Sequence, residues 1–360
     1  MTHTVPPGTV AGEDITPAEL RLAARNHGLP LEALSHDITP VGLHYLLIHY
    51  DIPAVDPASF ALEVDGAVER PLRLTVDELR ARERVELPVT FECAGNGRTL
   101  QSPRALSQPW VLEAVGTASW GGTPLRPLLE EAGVRPEAVE LVLTGLDRGV
   151  EGGEMQSYRR GLSLADSADA LLVFDMNGGP LPPQHGFPLR LVVPGWYGMT
   201  NVKWLTRITL EDKPFEGYHN AVSYRITDAD GVPGEPITRM APRSLMVPPG
   251  VPEFMSRERH LEPGPVELRG RAWSGWGHVE RVEVSTDGGE SFADAQLDEP
   301  VSRAAWRGWR FHWDAPAGDH VLCSRATDSA GNTQPLQPPW NLGGYVNNAV
   351  EHVQVTVASI

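Results

Sequence analysis

Hydrophobic and polar residues alternate with two different periods along the first 240 residues of the chain. Apolar positions three or four apart predict short helices, and strict alternation or a short apolar run predicts strands. Helices are predicted at residues 17–26, 75–82 and 124–132, and strands at residues 60–66, 89–93, 139–144, 170–175 and 189–193. Thr16 before Pro17, and Thr75 with Glu78 three residues later, are typical helix starts. Helices and strands in this irregular order favour an α+β domain over a repeating βαβ barrel.

The pattern changes near residue 240, after which the helical periods disappear. Segment 246–252 is rich in proline and is predicted to be a linker or an extended arm. Beyond it, strands are predicted at residues 266–273, 279–286, 309–313, 321–327 and 350–357, with a hairpin turn at 287–289. This pattern is typical of an all-β sandwich of immunoglobulin type. We therefore expect two domains, residues 1–236, which include an N-terminal extension at 1–40, and residues 237–360.

Composition and charge exclude several classes of protein. The 360 residues include 30 basic and 47 acidic side chains, a net charge of −17, whereas binding to nucleic acid or to an anionic membrane needs a basic face. No run of 18 apolar residues is present, and the first ten residues lack the features of a secretory signal. The chain has two cysteines, Cys93 and Cys323, far apart in the sequence, which favours a reducing compartment over a disulfide framework. A cytoplasmic location is expected.

One segment, residues 91–98, carries a candidate reactive group. The motifs of P-loop nucleotide binding, of serine hydrolase elbows and of the common zinc sites are absent from the sequence. Cys93 follows a predicted strand and precedes a turn of small residues and then Arg98. Such a turn leaves a thiol accessible, and nearby N–H groups and an arginine are expected to lower its pKa. The alternative is a buried cysteine that only packs, which we expect for Cys323 in its apolar strand.

The same segment, Phe91-Glu-Cys-Ala-Gly-Asn-Gly-Arg98, resembles the molybdenum-ligand segment of the sulfite oxidase family of molybdopterin enzymes. Further segments resemble motifs of that family in the same order along the chain. They are residues 120–125, 144–147, 175–178, 182–190, 192–195 and 201–205, followed by 272–275, 284–289 and 340–342. The resemblance covers residue 41 to the end. It implies a sulfite-oxidase-type molybdopterin-binding domain followed by a dimerisation domain, which agrees with the predicted sandwich.

The resemblance also implies a role for each matching residue. Cys93 would bind molybdenum through its thiolate, beside the dithiolene of the pterin. The pterin-binding positions of the family are matched by His49, Asp147, His185, Arg190 and Lys203, and Asn201 and Val202 would add polar and main-chain contacts. Tyr224 matches the active-site tyrosine, and Arg98 matches one of the arginines that line the anion pocket. Taken singly, most of these residues are equally typical of an ordinary turn or strand.

Two positions depart from the family pattern. Leu47 and Gly343 stand where the type enzymes carry arginine. Their loss implies a less positive pocket, in which sulfite binds weakly or a less charged substrate is preferred, unless another arginine fills the gap. An earlier Arg-Asn-His sequence at residues 25–27 repeats the first family motif, but the family register continues after His49 and not after His27.

The function implied by the resemblance is that of a molybdenum-pterin oxidoreductase that transfers an oxygen atom. It would oxidise sulfite or a related small oxyanion and pass the electrons to an external acceptor, a cytochrome or a small molecule. No haem or flavin is expected, and the second domain is expected to form a homodimer. The alternatives are a non-catalytic molybdopterin-binding or carrier protein, a family member that acts on a less charged S- or N-oxide, and an interaction module without metal.

Overall fold

The computed structural model describes residues 14–359, so the first 13 residues of the predicted N-terminal extension lie outside the described residues. Its α-helices are α1 (Pro17–Ala23), α2 (Val76–Arg80) and α3 (Leu125–Ala132), each somewhat shorter than predicted. Both predicted helix starts are confirmed, because Thr16 and Thr75 each cap a helix reciprocally with the glutamate three residues later. This arrangement satisfies N–H groups that the first helical turn leaves unpaired. None of the helices that the structure describes is long and apolar enough to cross a bilayer.

Strands dominate the first part of the chain and form two main sheets. They are β1 (Ala61–Gly66), β2 (Leu72–Thr75), β3 (Val85–Glu92), β4 (Val115–Pro124), β5 (Glu140–Glu151), β6 (Glu154–Ser163), β7 (Leu171–Met176), β8 (Gly179–Pro180), β9 (Arg190–Val192), β10 (Leu205–Glu211), β11 (Arg225–Thr227) and β12 (Pro233–Pro236). One sheet has the order β2-β1-β10-β5-β6, and the other has the order β3-β4-β7-β8 with β9 also paired to β7. β11 and β12 pair with each other. The five predicted strands are present as β1, β3, β5, β7 and β9, and β2, β4, β6, β8, β10, β11 and β12 are additional.

Helices α2 and α3 pack on the first sheet over an aliphatic core. Leu79, Leu125 and Leu128 are buried together with Val64 and Ile208 of the sheet. Burying a side chain of this size contributes about 1.5–3 kcal/mol. β7 is buried along its whole length, as its continuous apolar sequence predicts. This packing fixes the strands that carry the site residues.

The second part of the chain consists of strands and turns in the residues that the structure describes. The strands are β13 (Arg243–Met246), β14 (Val251–Pro252), β15 (Arg259–Leu261), β16 (Gly264–Trp273), β17 (Val279–Ser285), β18 (Ala293–Asp294), β19 (Gln296–Leu297), β20 (Arg307–Ala315), β21 (Gly318–Asp328) and β22 (Val353–Val357). They form two sheets, β13-β16-β20-β19 and β14-β15-β22-β21-β17-β18, around one apolar core. Trp309 and Trp313 are buried while Arg310 and His312 are exposed, as their alternation predicts. The predicted sandwich is confirmed.

The prediction of a linker or extended arm at residues 246–252 is wrong in part. Met246 ends β13, a strand that is buried along its length and pairs with β16. β13 also joins the two parts of the molecule, because Nε of Arg243 and Oε1 of Glu92 in β3 lie 2.7 Å apart and both side chains are only 1% exposed. Trp273 donates to the other carboxylate oxygen of Glu92 at 2.9 Å. Such pairing offsets much of the cost of burying charges. The domain boundary after residue 236 stays a prediction.

Candidate active site

One cleft collects eight of the ten predicted site residues. It encloses about 690 Å³ of space, including the solvent at its mouth. The predicted residues that line it are His49, Cys93, Asp147, His185, Arg190, Asn201, Lys203 and Tyr224. The other two, Arg98 and Val202, lie outside its lining. These residues come from segments that are distant in sequence and that meet only in the fold.

A tight turn brings His185, Arg190 and Lys203 together. His185 ends a single turn of 3₁₀-helix, and Gly186 follows with a φ of +110°, a conformation that residues with a Cβ rarely adopt. A Cβ atom at Gly186 would lie 3.1 Å from Cβ of Lys203 and 3.2 Å from Cβ of Arg190. The glycine therefore allows both cationic residues to approach the same turn.

Arg190 is buried at the start of β9 and is held by main-chain carbonyls. Its Nη1 donates to the carbonyl of His185 at 2.9 Å, and its Nη2 donates to that of Asn201 at 3.0 Å. The guanidinium lies over the rings of Phe91 and Trp120, at 5.0 and 4.7 Å from their centres, and Nε has no partner in the described residues. Burial lowers the pKa of Arg190 to about 10. The group therefore stays charged at neutral pH, and its Nε–H is left to donate to an anion.

Lys203 and Asp147 are two further titratable groups of the cleft. The Lys203 ammonium donates to the carbonyl of Leu47 at 2.7 Å and to that of Gln184 at 3.0 Å. Asp147 is buried, and its Oδ1 has no partner in the described residues. Burial raises the pKa of Asp147, although the charge of Lys203 opposes the shift, and burial lowers the pKa of Lys203. An anion bound nearby would favour the charged lysine and the neutral acid, so the pair suits a ligand that is anionic and polar.

Cys93 lies directly after β3 and lines the cleft. Its N–H donates to the carbonyl of Ala114 at 2.9 Å and its carbonyl accepts from the N–H of Asn96 at 2.9 Å, so the backbone is fixed on both sides. The prediction of a lowered pKa for this thiol is wrong. Burial raises the pKa of Cys93, although the charge of Arg98 and the N–H of Gly95 act in the opposite direction, because desolvation of a thiolate outweighs these local contributions. A cation bound directly to the sulfur would favour the thiolate and lower the pKa of Cys93.

Arg98 is buried outside the lining of the cleft. Its Nε donates to the carbonyl of Gly343 at 2.9 Å and its Nη1 to that of Gln108 at 3.1 Å. The guanidinium also lies 4.9 Å from the centre of the Tyr345 ring. In this arrangement Arg98 acts on Cys93 through its charge, and its direct contact with an anion stays a prediction.

Asn201 lines the cleft, and the next residue, Val202, lies outside the lining. Oδ1 of Asn201 accepts a 2.6 Å hydrogen bond from the N–H of Val193. Val202 is buried, its N–H donates to the carbonyl of Thr200 at 3.0 Å, and its carbonyl accepts from the N–H of Leu191 at 2.8 Å. The predicted main-chain contacts of Val202 with a ligand would have to compete with these bonds.

Tyr224 follows a single turn of π-helix, His219–Ser223, a feature that is frequent at functional sites. Its ring is buried, and the guanidinium carbon of Arg160 lies 5.2 Å from the ring centre. Burial raises the pKa of the Tyr224 hydroxyl, and the neighbouring Tyr158 and Tyr345 add to the rise. The hydroxyl therefore stays protonated at neutral pH and can donate a hydrogen bond to an oxyanion.

A polar network that was not predicted from the sequence supports His49. Oε2 of Glu151 lies 2.8 Å from Nε2 of His49, accepts a 2.8 Å hydrogen bond from the Tyr50 hydroxyl, and lies 3.6 Å from Nε2 of His219. The ligand atoms of His49, Glu151 and His219 lie within 4.8 Å of one another, a grouping that is also compatible with a metal ion. Because the carboxylate is already satisfied by hydrogen bonds, we interpret the cluster as an anchor that orients His49.

Replacing Glu151 by glutamine should destabilise the protein at neutral pH. Burial alone would raise the pKa of Glu151, but hydrogen bonds from His219, His49 and Tyr50 hold it well below its ordinary value. A depressed folded-state pKa means that the stabilisation is present above the unfolded value of 4.5 and is lost as the pH falls through the folded-state pKa. We expect the free energy of unfolding to fall by about 1–3 kcal/mol near pH 7.

Denaturant unfolding near pH 7 and near pH 4 measures this effect. The matched control is Glu154→Gln, since Glu154 pairs with Glu151 across the turn of the same hairpin and is exposed. The difference between the wild type and Glu151→Gln should begin to shrink below pH 4.5. An equal loss in both variants, or a loss that grows toward acid, would contradict the anchoring role.

His44 and Tyr158 also line the cleft, and neither was predicted from the sequence. His44 is buried, its Nε2 has no partner in the described residues, and burial lowers its pKa to about 4. Tyr158 donates to the carbonyl of Met199 at 2.7 Å. Tyr158 lies on β6, a strand that the periodicity did not predict. The short spacing between His44 and His49 was a signal in the sequence that could have indicated His44 as a site residue. His27 of the alternative Arg-Asn-His sequence is exposed and lies outside the cleft lining.

The cleft is lined by positive charge in a protein whose net charge is −17. Arg190 and Lys203 contribute the cations, and His44, Asp147 and Arg190 each present a buried polar atom without a partner in the described residues. Unpartnered buried polar atoms are unfavourable unless a ligand or water satisfies them. The arrangement therefore suits a polar, anionic ligand, with the sulfur of Cys93 available for a soft metal.

Two family models match the chain. The model described as an oxidoreductase molybdopterin binding domain matches residues 49–219, and the model described as a Mo-co oxidoreductase dimerisation domain matches residues 235–358. The first match contains seven of the eight predicted residues that line the cleft, and Tyr224 lies just beyond it. The second match covers the sandwich.

The chain is similar to curated proteins of two kinds and to a solved structure. It is 35% identical over 346 residues to the sulfite oxidase of Gallus gallus, covering 89% of this chain and 73% of that protein. It is 34% identical to the nitrate reductase (NAD(P)H) of Hordeum vulgare, covering 95% of this chain and 42% of that protein. The crystal structure of the sulfane dehydrogenase SoxCD from Paracoccus pantotrophus superimposes with a TM-score of 0.80 at 29% identity, covering 92% of this chain and 86% of that one. The chain spans 64% of the length of the mitochondrial sulfite oxidase of Homo sapiens.

Proposed function

The chain belongs to the sulfite oxidase family of molybdopterin oxidoreductases, and from this premise we propose that it oxidises sulfite or a related small oxyanion. In the balanced reaction, sulfite and one water yield sulfate, two protons and two electrons. The electrons would leave to an external acceptor, a cytochrome or a small molecule. A bound molybdenum-pterin group would supply the two-electron redox couple for this oxygen-atom transfer.

The residues of the cleft fit a molybdenum-pterin group. Arg190 and Lys203 offer positive charge for a phosphate, and Nε of Arg190 is an available donor. Asp147 and His44 present polar atoms without protein partners to a polar ring system, and Cys93 presents a sulfur to the metal. The observation that carries the proposal is that Cys93 shares one cleft with these buried cations.

Other residues of the chain would bind and orient the substrate. The protonated hydroxyl of Tyr224 would donate a hydrogen bond to a substrate oxygen. His185, which is expected to bind the pterin, stays neutral because burial and the neighbouring cations lower its pKa, so its ring can accept as well as donate a hydrogen bond there. The positive charge of Arg98, which is buried beside the cleft, would attract an oxyanion.

A second candidate substrate is a less charged sulfur compound, or an S- or N-oxide. Leu47 lines the cleft at a position where the type enzymes carry arginine, and an apolar side chain there lowers the affinity for a dianion. The SoxCD neighbour is a sulfane dehydrogenase, and the Hordeum vulgare relative is a nitrate reductase. Some proteins similar to this chain therefore act on substrates other than sulfite.

Turnover by the metal-replete protein tests these candidates. The panel contains sulfite, thiosulfate, an S-oxide, an N-oxide and nitrate, each assayed with a dye as electron acceptor or donor. We expect the highest kcat/KM for sulfite in the oxidising direction. If nitrate or one of the oxides is reduced faster than sulfite is oxidised, that compound would replace sulfite as the proposed substrate. A protein that binds molybdenum and turns over none of them would be a non-catalytic carrier.

We further propose a homodimer formed through the second part of the chain, the part that matches the dimerisation model. Sedimentation velocity at micromolar concentration should give twice the chain mass of 39.2 kDa. Phe254 and Met255, at 80% and 81% exposure, are the most exposed large apolar side chains in the described residues, and such groups often mark interfaces. Serine at both positions should weaken the dimer, whereas Val139→Ser, an exposed site in the first part of the chain, should not. A strictly monomeric wild type would contradict the proposal.

A further inference from the structure

Leu47 and Gly343 stand where the type enzymes carry arginine. At position 343 the fold leaves little room for an arginine side chain. A Cβ atom at Gly343 would lie 2.5 Å from Cδ2 of Tyr345. The carbonyl of Gly343 also holds Nε of Arg98 at 2.9 Å. An arginine at position 343 would therefore require the Tyr345 ring to move. Because Arg190 and Lys203 are assigned to the cofactor, an oxyanion substrate in this cleft needs a further positive charge.

Arg160 is a buried cation beside the tyrosines of the cleft. Tyr158 and Arg160 are buried on one face of β6, while Arg159 between them is exposed. Tyr158 and Tyr224 line the cleft, and the guanidinium carbon of Arg160 lies 5.2 Å from the centre of the Tyr224 ring. Nη1 of Arg160 donates to the carbonyl of His219, which begins the π-helical turn before Tyr224. Arg160 is thus one side chain away from the cleft.

The charge of Arg160 forms no salt bridge with a carboxylate in the described residues. Its contacts are the His219 carbonyl and the face of the Tyr224 ring, and its Nε has no partner there. Glu140 is close enough to influence it electrostatically, but the Oε2 atom of Glu140 already accepts from the N–H of Phe215. A buried cation without a counter-ion is unfavourable, and an anion in the adjacent cleft would compensate for it.

We propose that Arg160 is a positioning residue that determines specificity for an oxyanion substrate. Its cation against the ring face polarises the Tyr224 phenol and makes the hydroxyl a stronger donor. Its charge also attracts the anion to the Tyr224 side of the cleft, in place of the arginines missing at Leu47 and Gly343. This inference rests on the proposed function, because it requires an oxyanion of the sulfite or sulfate type in the cleft.

The test compares Arg160→Met, Arg160→Lys and the control Arg159→Met in the full-length, metal-replete protein. Methionine removes the charge and keeps an unbranched side chain, and lysine keeps the charge. Arg159→Met removes an equal charge from an exposed site on the same strand, where the guanidinium lies 4.7 Å from the Phe215 ring centre. The readouts are KM and kcat for sulfite with a dye acceptor, the calorimetric Kd for sulfate, the molybdenum content and Tm.

Arg160→Met should raise KM for sulfite and Kd for sulfate by about tenfold, because it removes one charge close to the anion. The kcat should change by less than about threefold, since the main loss is in binding. Molybdenum content should match that of the wild type, Arg160→Lys should recover most of the affinity, and Arg159→Met should change neither constant.

Several outcomes would overturn the inference. These are an unchanged KM and Kd in Arg160→Met, an equal loss in Arg160→Lys, or a loss of molybdenum that accounts for the whole effect. Failure of the proposed function gives a different result. A wild type that binds sulfate through Arg160 but does not oxidise sulfite supports the inference and rejects sulfite as substrate, whereas a wild type that binds neither anion rejects both.

Discussion

Replacing Cys93 by serine should abolish turnover while leaving the fold intact. A thiolate is a soft, charged ligand, whereas a serine hydroxyl stays protonated at neutral pH and binds soft metals poorly. Losing a residue that only supports a metal ligand costs about 10- to 100-fold in activity, so losing Cys93, the proposed ligand itself, should cost more than about 100-fold. The backbone around Cys93 is held by Ala114 and Asn96, and serine should therefore occupy the same position.

The matched control for this substitution is Cys323→Ser. Cys323 is the second thiol of the chain and is buried in β21, outside the cleft lining. Steady-state turnover with a dye acceptor and molybdenum content by mass spectrometry measure the effect. Cys93→Ser should keep part of its cofactor through Arg190 and Lys203. Full activity in metal-replete Cys93→Ser, or an equal loss in Cys323→Ser, would contradict the assignment of the metal ligand.

Sequence patterns predicted the segments that have one clear period and missed those that do not. The continuous apolar run of β7 and the alternation of β20 both appear in the structure. β10 was missed because a register shift between Leu205 and Arg207 interrupts its alternation. β6 was missed because its buried face carries Arg160, and arginine is rarely fully buried. All three predicted helices are present: α1 and α2 begin at capping boxes, whereas α3 has no side-chain cap and lies closest to its predicted bounds.

Family motifs located the residues that line the cleft but not the groups that support them. His49 is positioned by Glu151, 102 residues further along the chain, and no local spacing shows such a contact. The pKa of Cys93 was predicted in the wrong direction because the sequence shows neighbouring dipoles and charges but not the depth of burial. The domain boundary, the cytoplasmic location and the absence of haem and flavin stay predictions.

Replacing Arg190 by methionine should deprive the protein of its molybdenum-pterin group. Arg190 remains charged in the cleft, and its Nε has no partner in the described residues. A hydrogen bond to a charged group contributes about 1.5–3 kcal/mol, so losing it should weaken cofactor affinity by about 10- to 100-fold. The cofactor affinity of Arg190→Lys should lie between that of the wild type and that of Arg190→Met. Lysine keeps the charge, but it lacks the planar guanidinium that donates to the carbonyls of both His185 and Asn201.

The binding role of Arg190 must be separated from its structural role, because its two carbonyl partners also lose their donors in the variant. Arg271→Met is the matched control. Arg271 is buried in β16, donates from Nε to the carbonyl of Leu34 at 2.8 Å, lies 5.8 Å from the centre of the Trp306 ring, and does not line the cleft. Both methionine variants should lower Tm, but only Arg190→Met should lose molybdenum during gel filtration. Equal molybdenum content in the two variants would show that Arg190 stabilises the fold without holding the cofactor.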